Sequence, residues 1–91
     1  MPTVKELKEE FNTLIGRARR RRIDLYIYDI DSSTSIFYDS EENTLAMRSG
    51  MTGGPVGDPT AEDYLRSVKR FDVKPKDALE KAIENLRKYL Q

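Results

Sequence analysis

The sequence predicts a small α+β domain, on three observations. Apolar residues recur at helical spacing near both ends of the chain. From residue 23 they alternate with polar ones at a spacing of two. Two further short apolar runs follow, each set off by a polar turn. The expected architecture is a three-stranded antiparallel β-meander packed on one face by helices, in the element order α-β-β-β-α-α. Ninety-one residues at 10.5 kDa suffice for a single domain over 1–91. Scaling puts its folded surface at roughly 5,400 Å² against about 15,200 Å² unfolded, enough for one modest core and too little for a deep cleft.

The first helix is read in TVKELKEEFNTLIGRARRR. Thr3 and Glu6 have the spacing of a capping box, in which each side chain accepts from the other's free backbone N–H. Val4, Leu7, Phe11, Leu14, Ile15 and Ala18 then fall on one face. Gly16 interrupts the pattern at about 1 kcal/mol relative to Ala, which close packing would explain. IDLYIYDI follows as a strand, with Ile23, Leu25 and Ile27 facing the helices and Asp24, Tyr26 and Tyr28 facing away. The turn DSSTS leads to the strand IFYD, and SEEN leads to TLAMR, with Asn43 suited to a left-handed position.

Residues 49–59, SGMTGGPVGDP, contain four glycines and two prolines and read as a loop between the meander and the second helix. That helix is TAEDYLRSVKRF, with Tyr64, Leu65, Val68 and Phe71 inward. After a break at DVKP the last helix, KDALEKAIENLRKYL, carries the stripe Leu79, Ala82, Ile83, Leu86 and Leu90. The first and last helices are expected on one sheet face and the second at its edge. In element order alone, the run α-β-β-β-α is similar to that of double-stranded-RNA-binding domains. The likeness stops at the helix after the sheet, which here begins on the acidic DPTAED.

Composition narrows the chemistry. The chain has no cysteine and no histidine, which removes disulfides, thiolate chemistry, and the commonest general base and transition-metal ligand. No cofactor is expected, and no apolar run approaches a membrane span, so the chain is expected to be soluble and cytoplasmic. Charged residues make up 35%, with one Gln and three Asn, a balance that thermophile proteins tend to show. The net charge of zero conceals three unlike parts. Residues 1–22 have seven Lys or Arg against three Glu, 23–63 one Arg against nine acids, and 64–91 eight bases against four acids.

Three stretches invite a functional reading. Arg17, Arg19, Arg20, Arg21 and Arg22 crowd the end of the first helix. Cations there complement the helix dipole, and forked guanidinium groups also match phosphate oxygens. Lys69 and Arg70 extend that basic patch if the second helix ends nearby. Tyr26 and Tyr28 lie on the sheet face turned from the helices, either as half-exposed strand residues or as part of a two-fold dimer contact. Met51 and Val56 are apolar residues on the Gly-rich loop, suited to gripping another protein.

Two motifs lead nowhere chemically. YIYDIDSST, with Asp29 and Asp31, resembles the first motif of haloacid-dehalogenase-like phosphatases over nine residues, but the chain lacks the length and further motifs of that family. Counted from Asp29, an EF-hand needs Gly and Glu where Thr34 and Ser40 stand. These acids are read as solvating a hairpin turn. The expected function is a non-enzymatic protein–protein interaction module, homodimeric, acting through the tyrosine face or the loop. The alternative is a small nucleic-acid-binding protein using Arg17–Arg22.

Overall fold

The computed structural model describes all 91 residues, in the order α1 (Val4–Arg21), β1 (Leu25–Asp29), β2 (Thr34–Asp39), β3 (Thr44–Ser49), β4 (Thr52–Gly57), α2 (Ala61–Lys69) and α3 (Pro75–Leu90). The α+β class is as expected, but the sheet has four strands rather than three, an antiparallel meander β1-β2-β3-β4. The element order is therefore α-β-β-β-β-α-α. The fourth strand comes from the Gly/Pro-rich segment read as a loop. Ser49 pairs with Thr52 across a two-residue turn in which Gly50 has φ +60° and Met51 a negative φ, the pattern of a type II′ hairpin. Pro55 is tolerated because β4 is an edge strand, where an absent N–H leaves no ladder bond unmade. At Gly53 the strand runs so close to β3 that a Cβ would lie 2.8 Å from the Met47 carbonyl oxygen. The glycines that argued against a strand are what let this one close on its neighbour.

The caps follow local chemistry. Thr3 and Glu6 form the reciprocal capping box, with bonds of 3.0 and 3.1 Å. Thr60 caps α2, and Pro75 occupies the first turn of α3, where its missing N–H costs nothing. Asn12 on α1 reaches across to accept from the Ala61 N–H at 2.8 Å, so the start of α2 is anchored by another helix. Asn43 takes the left-handed conformation its residue type favours, φ 55°.

One core of 20 buried residues joins the helical stripes to the inner sheet face, with Phe11, Ile27, Ile36, Tyr38, Leu45, Tyr64, Leu79 and Leu86 at or near zero exposure. Helix α3 packs on α1 and β1, and α2 lies against β4. The shortest dimension of the molecule is 20 Å, the thickness of one sheet and one helical layer. The other face of the sheet therefore has no cover within the chain. No helix is long and apolar enough to cross a membrane.

Candidate functional site

Strand register decides which side chains reach the uncovered face. Tyr26 pairs with Phe37, but the next pair is Tyr28 with Ile36, so Ile27 is an extra, bulged residue. The bulge turns Ile27 and Tyr28 both toward the helices, where Ile27 is fully buried and Tyr28 packs against the core. The expectation that Tyr26 and Tyr28 share a face fails for this reason: strict alternation cannot register an inserted residue. A second bulge lies in β4, between the pairs Leu45–Gly57 and Ala46–Pro55. It sends Val56 inward as well, packed on the core and no longer a loop residue.

The uncovered face carries a row across all four strands, Tyr26–Phe37–Ala46–Pro55, each residue opposite the next. Ala46 is 6% exposed yet lies outside the core cluster, because its neighbours on this outer face cover it. Beside that row runs another, Asp29–Ser35–Arg48–Gly53, in which the Arg48 guanidinium sits over the Phe37 ring at 5.9 Å. Asp39 and Thr44 close the other side. Burial first, and the Asp29 carboxylate second, raise the Tyr26 hydroxyl well above the ordinary tyrosine value. Met51 is fully exposed at the β3–β4 turn and borders the same surface beside Pro55. Of the expected interface residues, Tyr26 and Met51 lie at this face, and Tyr28 and Val56 do not. Phe37, Ala46, Arg48 and Pro55 were missed. Phe37 was assigned no face from the sequence, and only the register shows that it meets Tyr26.

Both edges of the sheet carry features that discourage strand addition. The bulge disrupts β1, and the freed Ile27 carbonyl accepts from Asn85 of α3 at 2.7 Å. Edge strand β4 has its own bulge and Pro55. Bulges, prolines and covering side chains are the devices by which edges avoid pairing. The face, rather than either edge, is left for contact.

The five arginines separate on folding. Arg21 donates to the Leu90 carbonyl at 2.9 Å and so caps the end of α3. Arg17 is exposed on α1. Arg19, Arg20 and Arg22 line an open hollow of about 980 Å³ between the end of α1 and the β2–β3 turn, together with Gly16, Asp24, Ser40 and Glu41. None of Arg17, Arg19, Arg20 and Arg22 makes an ion pair. Asp24 is engaged by Ser40, accepting from its backbone N–H at 2.8 Å and its hydroxyl at 2.7 Å. These bonds, the side-chain one first, hold its carboxyl below the usual aspartate range. Lys69 and Arg70 do not reach this hollow. Arg70 stacks on Phe71 at 5.2 Å and points its guanidinium at the Met47 sulfur, beside β4.

Two residues of the hollow run against local propensity. Arg22 ends α1 at φ 55°, with Ile23 N–H bonding Ala18 C=O and Arg22 N–H bonding Arg19 C=O, the paired bonds of a Schellman motif. The left-handed position of that motif is normally glycine, and a side chain there costs about 1 kcal/mol. Asn43 and Asp72 also have positive φ, but their short polar side chains tolerate it, which leaves Arg22 the outlier. Gly16 is the converse. A Cβ there would meet nothing closer than Arg20 Nη1 at 3.6 Å, so the expected close packing is absent and alanine would fit.

Against protein-family models, curated proteins and solved structures, the chain matches none. Function must therefore be argued from these surfaces alone.

The acids after β1 are structural. Asp31 accepts from the Ser33 N–H at 2.8 Å and its hydroxyl at 3.1 Å, shaping the β1–β2 turn, and its carboxyl is held low by these bonds. Asp39 does the same for the next turn, accepting from the N–H groups of Glu41 and Glu42.

Proposed function

We propose that the chain is a non-enzymatic protein–protein interaction module that pairs with a second copy of itself through the open face of its sheet. The observation that carries this reading is the apolar row Tyr26–Phe37–Ala46–Pro55 on a face that no helix covers. Contiguous apolar surface rimmed by polar groups is characteristic of contact sites. The rim is charged in both senses, with Arg48 on one strand pair and Asp29 and Asp39 around it. A two-fold axis through the row sets each copy's Arg48 near the other's acids, as isologous pairing requires. The same acids oppose a phosphate backbone, which disfavours nucleic acid on this face.

The carboxylates support the non-enzymatic part. Glu6, Asp24 and Asp31 are held below the usual carboxylate range by their bonds to Thr3, Ser40 and Ser33. A general acid or base at neutral pH needs the opposite shift.

Four strands about 4.8 Å apart and five residues long span a flat footprint of about 320 Å² per copy. Doubled, that is roughly 640 Å², below the roughly 1,200 Å² of a stable interface, so the pair should dissociate on dilution. Sedimentation of the wild type from low to high micromolar concentration is expected to show mass rising from one chain toward two. Phe37→Glu should stay monomeric throughout with an unchanged melting temperature. A wild type that remains monomeric at the highest concentration, or a Phe37→Glu variant that still pairs, defeats the reading.

A further inference from the structure

The arginine hollow stands apart from the sheet face, and we infer that it is a binding site for a phosphate-bearing ligand, clasped by Arg19, Arg20 and Arg22. Three arginines line one hollow and none of them makes an ion pair, although Asp24 and Glu41 lie on the same wall. Asp24 is turned to Ser40, whose backbone N–H and hydroxyl both bond its Oδ1. Three cations around one hollow repel one another, and Asp24, Glu41 and the partial negative charge at the end of α1 offset them only in part. An added oxyanion relieves the repulsion, and the planar fork of arginine matches its oxygens in pairs.

The residue choices point the same way. Arg22 stands where the backbone prefers glycine, and Gly16 where the helix prefers alanine. Both choices lower stability, and both residues line this hollow. Places where a sequence breaks local rules without a packing gain are where function is expected. At Arg22 the gain is a third guanidinium. At Gly16 it is an unfilled floor beneath Arg20.

Small molecules and nucleic-acid chains both carry phosphoryl groups, and two probes separate these sources. The full chain is titrated with inorganic pyrophosphate and with a short single-stranded oligouridylate at about 50 mM salt, with heat and amide chemical shifts as readouts. Binding of pyrophosphate assigns a small phosphorylated ligand; binding of the oligonucleotide alone assigns a phosphodiester chain, with affinity falling steeply in salt. In either case Arg22→Gly should raise the melting temperature by about 4 °C or more, since it relaxes the backbone, yet weaken binding at least tenfold. Arg21→Gln, outside the hollow, should lose clearly less affinity than Arg22→Gly when pyrophosphate titrations are repeated at about 150 mM salt, where charges more than about 8 Å apart are largely screened. The inference is overturned if neither probe binds, if Arg22→Gly binds as tightly as the wild type, or if Arg21→Gln loses as much affinity as Arg22→Gly.

Discussion

Removing the hydroxyl of Tyr64 is expected to cost about 1.5 kcal/mol at neutral pH and almost nothing at pH 11. Tyr64 sits fully buried on α2, its ring stacked on Phe11 at 5.0 Å and its hydroxyl donating to the Ala78 carbonyl at 2.7 Å. Tyr64→Phe keeps the ring and the stack, so it isolates the hydroxyl. A buried hydrogen bond is worth about 0.5–1.5 kcal/mol net, and an acceptor left without its partner adds to the loss. Burial holds the phenol protonated far above its ordinary value of 10.0, whereas in the unfolded chain it ionises at that value. The group's folded pKa is raised, so its stability is complete below pH 10 and falls above it, by about 1.4 kcal/mol per pH unit. At pH 11 the wild type has lost about 1.4 kcal/mol through this group and the variant nothing, so the two should converge. Urea unfolding followed by circular dichroism at pH 7 and pH 11 measures the difference. Contributions common to both proteins drop out of the difference. A gap of equal size at both pH values means that the folded phenol ionises freely, and equal stability at pH 7 means that the hydroxyl is not held. Either result refutes the reasoning.

Two further predictions test the sheet's edges. Gly53→Ala should destabilise by about 1–3 kcal/mol, because its Cβ meets backbone at 2.8 Å, whereas Gly54→Ala, with nothing within 4 Å, should stay within about 0.5 kcal/mol. Thermal melts of both variants check this, and equal effects would remove the close β3–β4 approach. Asn85→Ala should cost about 1–2 kcal/mol by leaving the bulged Ile27 carbonyl unpaired. It should also speed hydrogen exchange in β1, and unchanged exchange would show that the bulge does not need its cap.

Local chemistry alone settled much of this molecule. The helices were legible because a 3.6-residue apolar period and a Thr-x-x-Glu box are properties of neighbouring residues. The first three strands were legible because alternation with short polar turns is local too. The spread of Arg17–Arg22 around the end of a helix was visible in the spacing.

Tertiary structure decided the rest. Strand β4 exists because β3 offers it a ladder that Gly53 can approach closely, and no property of TGGPVG by itself signals that. The bulges at Ile27 and Val56 depend on partner strands, yet they reverse the facing of Tyr28 and Val56 and so redraw the candidate surface. The arginines divide into a cap for α3 and a hollow because Leu90 and Ser40 arrive from 69 and at least 18 positions away along the chain. Sequence determines which residues prefer helix, strand or turn, since those preferences act over a few bonds. Which side chains share a surface depends on register and packing between distant segments, and only the folded chain fixes it.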